Sequence, residues 1–221
     1  MLNYCSKKHK IIILATAKAG STSLAELLQH SSIAPTQPLI KVPSLFYHPT
    51  LSEICYSFRI QPDKLDEYKI IQIVRNPYDR FISSYFSQAK LFPLLPNLET
   101  VVSNLEKVKF LLPQNEDLFY ASFYGSLDYK SYSLTKTNSW GGMRFWYEQN
   151  YWNNLNADVN VFKLEDLNKD SSSLTDLIGM QPIQFPVKRK GTYDTPKLSK
   201  ELKNRVYSLY QNDFKLFKYR K

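Results

Sequence analysis

Lys18, Gly20, Ser21, Thr22 and Ser23 stand within Lys18-Ala19-Gly20-Ser21-Thr22-Ser23-Leu24, and Arg75 and Ser83 bracket Arg75-Asn76-Pro77-Tyr78-Asp79-Arg80-Phe81-Ile82-Ser83. Each stretch joins a cation to hydroxyls, the equipment for holding a phosphate. A Lys is a point charge, and Ser and Thr hydroxyls donate hydrogen bonds. Gly20 lets the backbone approach a ligand closely or take a conformation closed to other residues. A long Arg side chain and a Ser hydroxyl can flank a second phosphate. Two such clusters in 221 residues point to a ligand carrying two separate phosphate groups.

The elements that must position these residues are legible on either side. The run Ile11-Ile12-Ile13-Leu14-Ala15 has the length and β-branching of a buried parallel strand. Leu24, Leu27 and Leu28 recur at helical spacing, so a helix begins near Ser21 or Thr22, and the N–H groups and dipole of its first turn form an anion site. The spacing of the first loop is not that of the nucleoside-triphosphatase P-loop, which ends Gly-Lys-Ser/Thr after an earlier Gly. Here Lys18 precedes Gly20, and no Gly occurs from 11 to 19. The second cluster follows the strand-like Ile70-Ile71-Gln72-Ile73-Val74, with Asn76 as an N-cap, Pro77 at the first helical position and Asp79 in the first turn. Arg75 therefore stands at the carboxyl end of a strand, where open α/β sheets bind ligands. Ser83 falls two turns along the helix, about 10 Å from its cap. Each stretch taken singly also fits an ordinary βα turn with a surface cation; the pair is what points to a ligand.

Composition bounds the rest. With 43% hydrophobic residues the chain can build one substantial core, and a single α/β domain is the default. Cys5 and Cys55 allow at most one bridge and no metal set, which suits a reducing compartment. No apolar run approaches the ~20 residues of a membrane span. Lys7-Lys8-His9-Lys10, the following Ile11 to Leu14 and Ala15-Thr16-Ala17 imitate a signal peptide, but cleavage there would remove the first strand, so the segment reads as strand. From Pro186 onward there are eleven Lys and Arg against three Asp and Glu, nearly all of the net +9. Leu198, Leu202, Val206, Leu209 and Tyr210 give this region a helical apolar stripe, with Lys197, Lys200 and Lys203 on its solvated face. Lys188-Arg189-Lys190-Gly191 instead suits a loop over an anion. Such charge also suits nucleic acid, yet no zinc-finger spacing, RNA-recognition signature or heptad-linked basic region is present. In the middle, Leu98, Val102, Leu105, Val108 and Leu112 predict an amphipathic helix, Asn115 to Thr137 a long loop, and the aromatic band Trp140, Phe145, Trp146, Tyr147, Tyr151 and Trp152 one helix buried as core.

The two loops together resemble the nucleotide signatures of the sulfotransferases that use 3′-phosphoadenosine 5′-phosphosulfate (PAPS), in the branch of the Golgi-type and bacterial carbohydrate enzymes. The resemblance implies that Lys18, Ala19, Gly20, Ser21, Thr22 and Ser23 hold the 5′-phosphosulfate and that Arg75 and Ser83 hold the 3′-phosphate. Two further stretches are similar to the same family: Val161-Phe162-Lys163-Leu164-Glu165-Asp166-Leu167 to its late strand ending in Glu-Asp-Leu, and Leu198 to Tyr219, closing Asn212-Asp213-Phe214-Lys215-Leu216-Phe217, to its last helix and the Asp-Phe-x-x-Phe that follows it. By the same likeness Arg189, Lys190 and Gly191 complete the 3′-phosphate pocket, and Tyr193 stacks on adenine. The implied fold is α/β, a P-loop-like three-layer sandwich with a short, mostly parallel central sheet flanked by helices. One domain over 1–221 would hold the 5′-phosphosulfate loop (15–28), the 3′-phosphate segment (70–85), a variable acceptor region (about 91–155) and a C-terminal nucleotide loop and helix (186–221).

The implied activity is metal-independent, in-line transfer of the sulfuryl group to a hydroxyl or amine, with PAPS as co-substrate and adenosine 3′,5′-bisphosphate (PAP) as product. By analogy with phosphoryl transfer the protein positions reactants and stabilises shifting charge. Lys18 faces the charge that grows on the leaving phosphate, and Ser83 orients Lys18. Many relatives carry a Lys-Glu-x-x-x-Phe-Phe-like segment whose Glu is the base; Lys41-Val42-Pro43-Ser44-Leu45-Phe46-Tyr47 has Val42 there. His48 is the first candidate for the missing base and Glu53 the second. The basic, Tyr-rich surroundings favour a carbohydrate or glycoconjugate acceptor. The absence of a recognisable export or anchoring signal points to the cytoplasm of a bacterium or phage. Three other readings share parts of the pattern: a P-loop-type nucleotide kinase, a non-catalytic 3′-phosphonucleotide-binding protein and a basic nucleic-acid binder.

Overall fold

The structure is a computed structural model and describes residues 4–29, 48–91, 97–109, 144–181, 183–186 and 196–221. The chain clusters into two compact units, one of Met1–Asn76 with Gln149–Thr192, the other of Pro77–Glu148 with Tyr193–Lys221.

The first unit is built on a four-stranded sheet of β1 (Tyr4–Ser6), β2 (Ile11–Leu14), β3 (Lys69–Val74) and β4 (Asn160–Lys163), in that spatial order. β1 is an antiparallel edge on β2, while β2, β3 and β4 run parallel. Ile-rich β2 is buried along its whole length and β3 from Ile70 onward, as expected of parallel strands covered on both faces. Alternation divides the sheet. Ile11, Ile13, Ile71 and Ile73 face a core formed with Leu24, Leu27 and Leu28 of α1 (Ser21–Gln29), Leu167 of α5 (Leu164–Leu167) and Leu174 and Ile178 of α6 (Ser172–Ile178). Burying each such aliphatic side chain stabilises the unit by about 1.5–3 kcal/mol. Ile12, Leu14, Ile70 and Val74 point the other way and are also buried. On that side Cys55, in α2 (Leu51–Phe58), is close enough to Cys5 of β1 to act on its thiol. The α/β class, the short mostly parallel sheet and the flanking helices are thus as the sequence predicts.

In the second unit α3 (Pro77–Leu91), α4 (Leu98–Val108), α7 (Lys200–Leu209) and α8 (Gln211–Leu216) share one core. Phe81 and Ile82 of α3 meet Val101, Val102 and Leu105 of α4, Leu202, Val206 and Leu209 of α7, and the indole of Trp146. Asn97 caps α4 by accepting the Thr100 N–H at 2.9 Å, and Ser199 caps α7 through Leu202 N–H at 3.1 Å.

Several boundaries differ from expectation. The aromatic band forms two short 3₁₀ helices, Arg144–Trp146 and Gln149–Asn153, in place of one α-helix. Trp146, Tyr147 and Trp152 would point to different faces of one helix, and in the structure all three are buried. The C-terminal region follows expectation, a last helix ending at Leu209 and then the Asp213-Phe214-x-x-Phe217 stretch; between them Tyr210, with φ of −121°, leaves the helical region, and its ring is buried beside Phe81. The stretch Leu164-Glu165-Asp166-Leu167 opens a helix after β4 in place of ending a strand. Edge strand β1, three residues long, is shorter than a periodicity can reveal.

Candidate functional site

The register of the first unit brings three turns to one edge of the sheet. Leu14 pairs with Gln72 and Val74 with Lys163, so the chain leaves β2 at Ala15, β3 at Arg75 and β4 at Leu164 on the same carboxyl side. There the first loop folds tightly: Thr16 N–H donates to Leu14 O at 3.0 Å and Ala19 N–H to Thr16 O at 3.2 Å. Lys18 and Gly20 both lie in the left-handed region, with φ of 64° and 84°. A non-Gly residue held there carries backbone strain, which gathers at ligand clamps and active sites. Gly20 is favoured by its left-handed φ. Beyond its φ, a Cβ would lie 2.6 Å from Leu164 Cδ1. Leu24 N–H then donates to Gly20 O at 2.9 Å, opening α1, whose first turn, Ser21, Thr22 and Ser23, directs its N–H groups to the same edge. Lys18, Ser21 and Thr22 are half-buried, while Ala19 and Ser23 are buried.

The second loop is pinned from two directions. Arg75 N–H donates to Gln149 Oε1 at 2.7 Å, and Gln149 Nε2 donates back to Arg75 O at 2.8 Å. Asn76 N–H donates to Glu165 Oε1 at 2.7 Å. From this frame the half-buried guanidinium of Arg75 reaches toward the first loop, with Nη1 3.5 Å from the Lys18 carbonyl. The two cation-bearing turns therefore lie side by side.

His48 is buried and reaches the same loop: its Nδ1 is 2.6 Å from Ala15 O. A carbonyl only accepts, so Nδ1 carries a proton in this contact. Glu53 is used otherwise. Its Oε2 accepts the Thr50 N–H at 2.7 Å and closes a capping box at the start of α2.

Ser83 belongs to the second unit. It is half-buried on α3, one turn beyond exposed Asp79 on the same stripe, whereas Arg80 and Ser84 on neighbouring positions are buried. Ser84 Oγ donates to Phe145 O at 3.0 Å and so belongs to the packing of that unit. Arg189, Lys190, Gly191, Tyr193 and Val42 lie outside the described residues. The structure thus joins Lys18, Gly20, the α1 N-terminus, Arg75 and His48 at one sheet edge.

Sequence reasoning singled out neither Gln72 nor Gln149, and it noted Glu165 only as part of a likeness. Gln72 left a signal, being the polar residue inside Ile70-Ile71-Gln72-Ile73-Val74; Gln149, among aromatics far along the chain, left none.

A mostly parallel sheet whose strands bring cations and a helix N-terminus to one carboxyl edge is the arrangement by which open α/β proteins offer sites to anionic ligands. The chain belongs to the sulfotransferase family, whose family model matches residues 4–220. No curated protein and no solved structure matches it. Its reaction class is accordingly the transfer of a sulfuryl group. Among the described residues no three His, Cys, Asp or Glu side chains gather as a metal site would, and no helix is long and apolar enough to cross a membrane.

Proposed function

We propose that the chain transfers the sulfuryl group of PAPS to a hydroxyl or amine of a carbohydrate or glycoconjugate acceptor. The observation that carries this reading is the adjacency of the two loops, with the Arg75 guanidinium 3.5 Å from the Lys18 carbonyl. That spacing suits one nucleotide with a phosphate at each end of its ribose. The 5′-phosphosulfate lies on the Lys18–Ser23 loop and the α1 N-terminus, whose left-handed Lys18 and Gly20 bend the backbone as an anion cradle requires. The 3′-phosphate takes Arg75, with Ser83 assigned to it by the family likeness.

In the reaction the acceptor oxygen or nitrogen bonds to sulfur as the bond from sulfur to the bridging phosphate oxygen breaks, and PAP leaves. The negative charge released on that phosphate is met by the Lys18 ammonium and the first-turn N–H groups, preorganised before the step begins. The acceptor proton passes to the His48 imidazole, which its Nδ1 contact with Ala15 O holds against the first loop. Lys18 and the first-turn N–H groups take the charge of the leaving phosphate in this reading, so the proposed mechanism calls for no metal.

Calorimetric titration with PAP, ADP and ATP in magnesium-free buffer tests the reading. Clear preference for PAP, followed by turnover of PAPS on a saccharide panel, is the expected result. Magnesium-dependent preference for ATP would reassign the loops to phosphoryl transfer, and PAP binding without turnover on any acceptor would leave a nucleotide-binding protein.

A further inference from the structure

Gln149 sits at the start of the 3₁₀ helix Gln149–Asn153, fully buried, and its side-chain amide exchanges two hydrogen bonds with the backbone of Arg75. A residue on an antiparallel neighbouring strand makes the same exchange. Here it begins one residue past the last parallel β3–β4 pair, Val74 with Lys163, so a side chain adds one antiparallel-type rung to the ladder just past the strand's end. The orientation of the amide is dictated: reversed, it would set N–H against N–H and oxygen against oxygen.

The other side of Gln149 is held too. Its carbonyl accepts from Gln72 Nε2 at 2.6 Å, and the same Nε2 lies 3.3 Å from Thr16 Oγ1. Thr16 precedes Lys18 in the first loop, and Arg75 Nη1 returns to Lys18 O. Polar contacts thus run from Thr16 through Gln72 and Gln149 to Arg75 and the Lys18 carbonyl, joining the two loops and closing through the main chain between Thr16 and Lys18. Primary amides do not ionise near neutral pH, so these contacts supply geometry and no titrating charge. They fix the backbone from which the guanidinium projects, and a buried amide bonded on both sides has no other rotamer to adopt.

We propose that Gln149 is the positioning residue that aims Arg75 at the 3′-phosphate, an inference that rests on the nucleotide site proposed above. Gln149→Glu keeps the size and the acceptor toward Arg75 N–H but sets a carboxylate oxygen against the Arg75 carbonyl. Gln149→Met keeps the shape and removes both bonds. The readout is the affinity for PAP divided by that for adenosine 5′-phosphate, measured calorimetrically on the full chain. Both Gln149 variants are expected to lower this ratio about tenfold or more, the worth of misdirecting one charge-assisted bond, while adenosine 5′-phosphate affinity stays within about threefold. Arg75→Ala is expected to lose the ratio as well, and Gln149→Glu placed on Arg75→Ala to add no more than about twofold, since the two act as one unit.

A ratio kept by the Gln149 variants but lost in Arg75→Ala overturns the positioning role and leaves the site reading standing. A ratio kept by Arg75→Ala overturns the site reading and this inference with it. Equal losses for both nucleotides mark a general packing role and overturn the inference. Should neither variant fold, amide exchange of the nucleotide-free native protein decides: protection of the Arg75 N–H comparable to that of the β3 interior supports the ladder, and exchange at the free-peptide rate overturns it.

Discussion

At the residue scale, Lys18 carries two features that a surface lysine has no need of, a half-buried side chain and a backbone φ of 64°. Strain of this kind costs of order 1–3 kcal/mol and persists where the surroundings over-determine it. Lys18→Ala would remove the ammonium but spare the helix N-terminus. Turnover should therefore fall about 10²–10³-fold, with PAP affinity changed by less than about tenfold; steady-state kinetics beside calorimetry separates the two. The candidate bases divide as cleanly. Glu53 closes a helix cap with its carboxylate, a role the Gln amide oxygen can also fill, so Glu53→Gln should keep most of the activity. His48→Asn should lower kcat about 10²-fold or more and abolish the acidic limb of the kcat–pH profile. An acidic limb unchanged in His48→Asn would remove His48 from the chemistry.

At the element scale, the site depends on how closely β2, α1 and the turn after β4 approach one another. Gly20 is the point of approach: a methyl group there meets Leu164 Cδ1 at 2.6 Å, and φ is 84°. Gly20→Ala should cost about 1–3 kcal/mol, read as a lower midpoint in denaturant at unchanged slope. Because Leu164 directly precedes Glu165, which accepts the Asn76 N–H, the same change should also weaken PAP binding. A full-strength nucleotide site in a destabilised Gly20→Ala protein would separate the two effects. In the second unit, α4 is short and begins at a side-chain cap, so Asn97→Ala should lower its stability by about 1 kcal/mol without moving any nucleotide affinity.

At the scale of the whole molecule, stability is tied to pH by buried groups held in their protonated form. Burial first, and the neighbouring Cys55 second, push the Cys5 thiol from an ordinary 9.0 to about 12, and burial also raises Cys55 and Tyr210. A group whose folded value is raised stabilises fully below its unfolded value and loses that contribution as pH climbs toward the folded one. Thermal stability should therefore decline from about pH 9 to pH 12, with part of the decline removed in Cys5→Ala. Lys109 acts in the opposite sense. Burial lowers it against the pull of Glu148, so below the ordinary lysine value its buried charge is a cost that diminishes as pH rises. Melting curves at constant ionic strength across this window measure the sum, and a flat or rising Tm would contradict the dominance of the thiols and Tyr210.

The strands Ile11–Leu14 and Lys69–Val74 and the helices that begin at Ser21 and Pro77 were all determined by local sequence, as was the gathering of cations and hydroxyls in the turns between them. Apolar runs bounded by Gly20 and by Asn76-Pro77 leave few other conformations. The tertiary structure alone decided which distant residues serve those loops. Gln149 and Glu165 follow Arg75 and Asn76 by 74 and 89 positions, and their pairing depends on strand register and on the breaking of the aromatic band into 3₁₀ turns. The capping of α2 by Glu53 and the contact of His48 with Ala15 O were decided there as well. A hydrogen bond between two buried polar groups leaves no periodic trace in a sequence, because either partner alone reads as an ordinary polar residue until the fold brings the other within 3 Å.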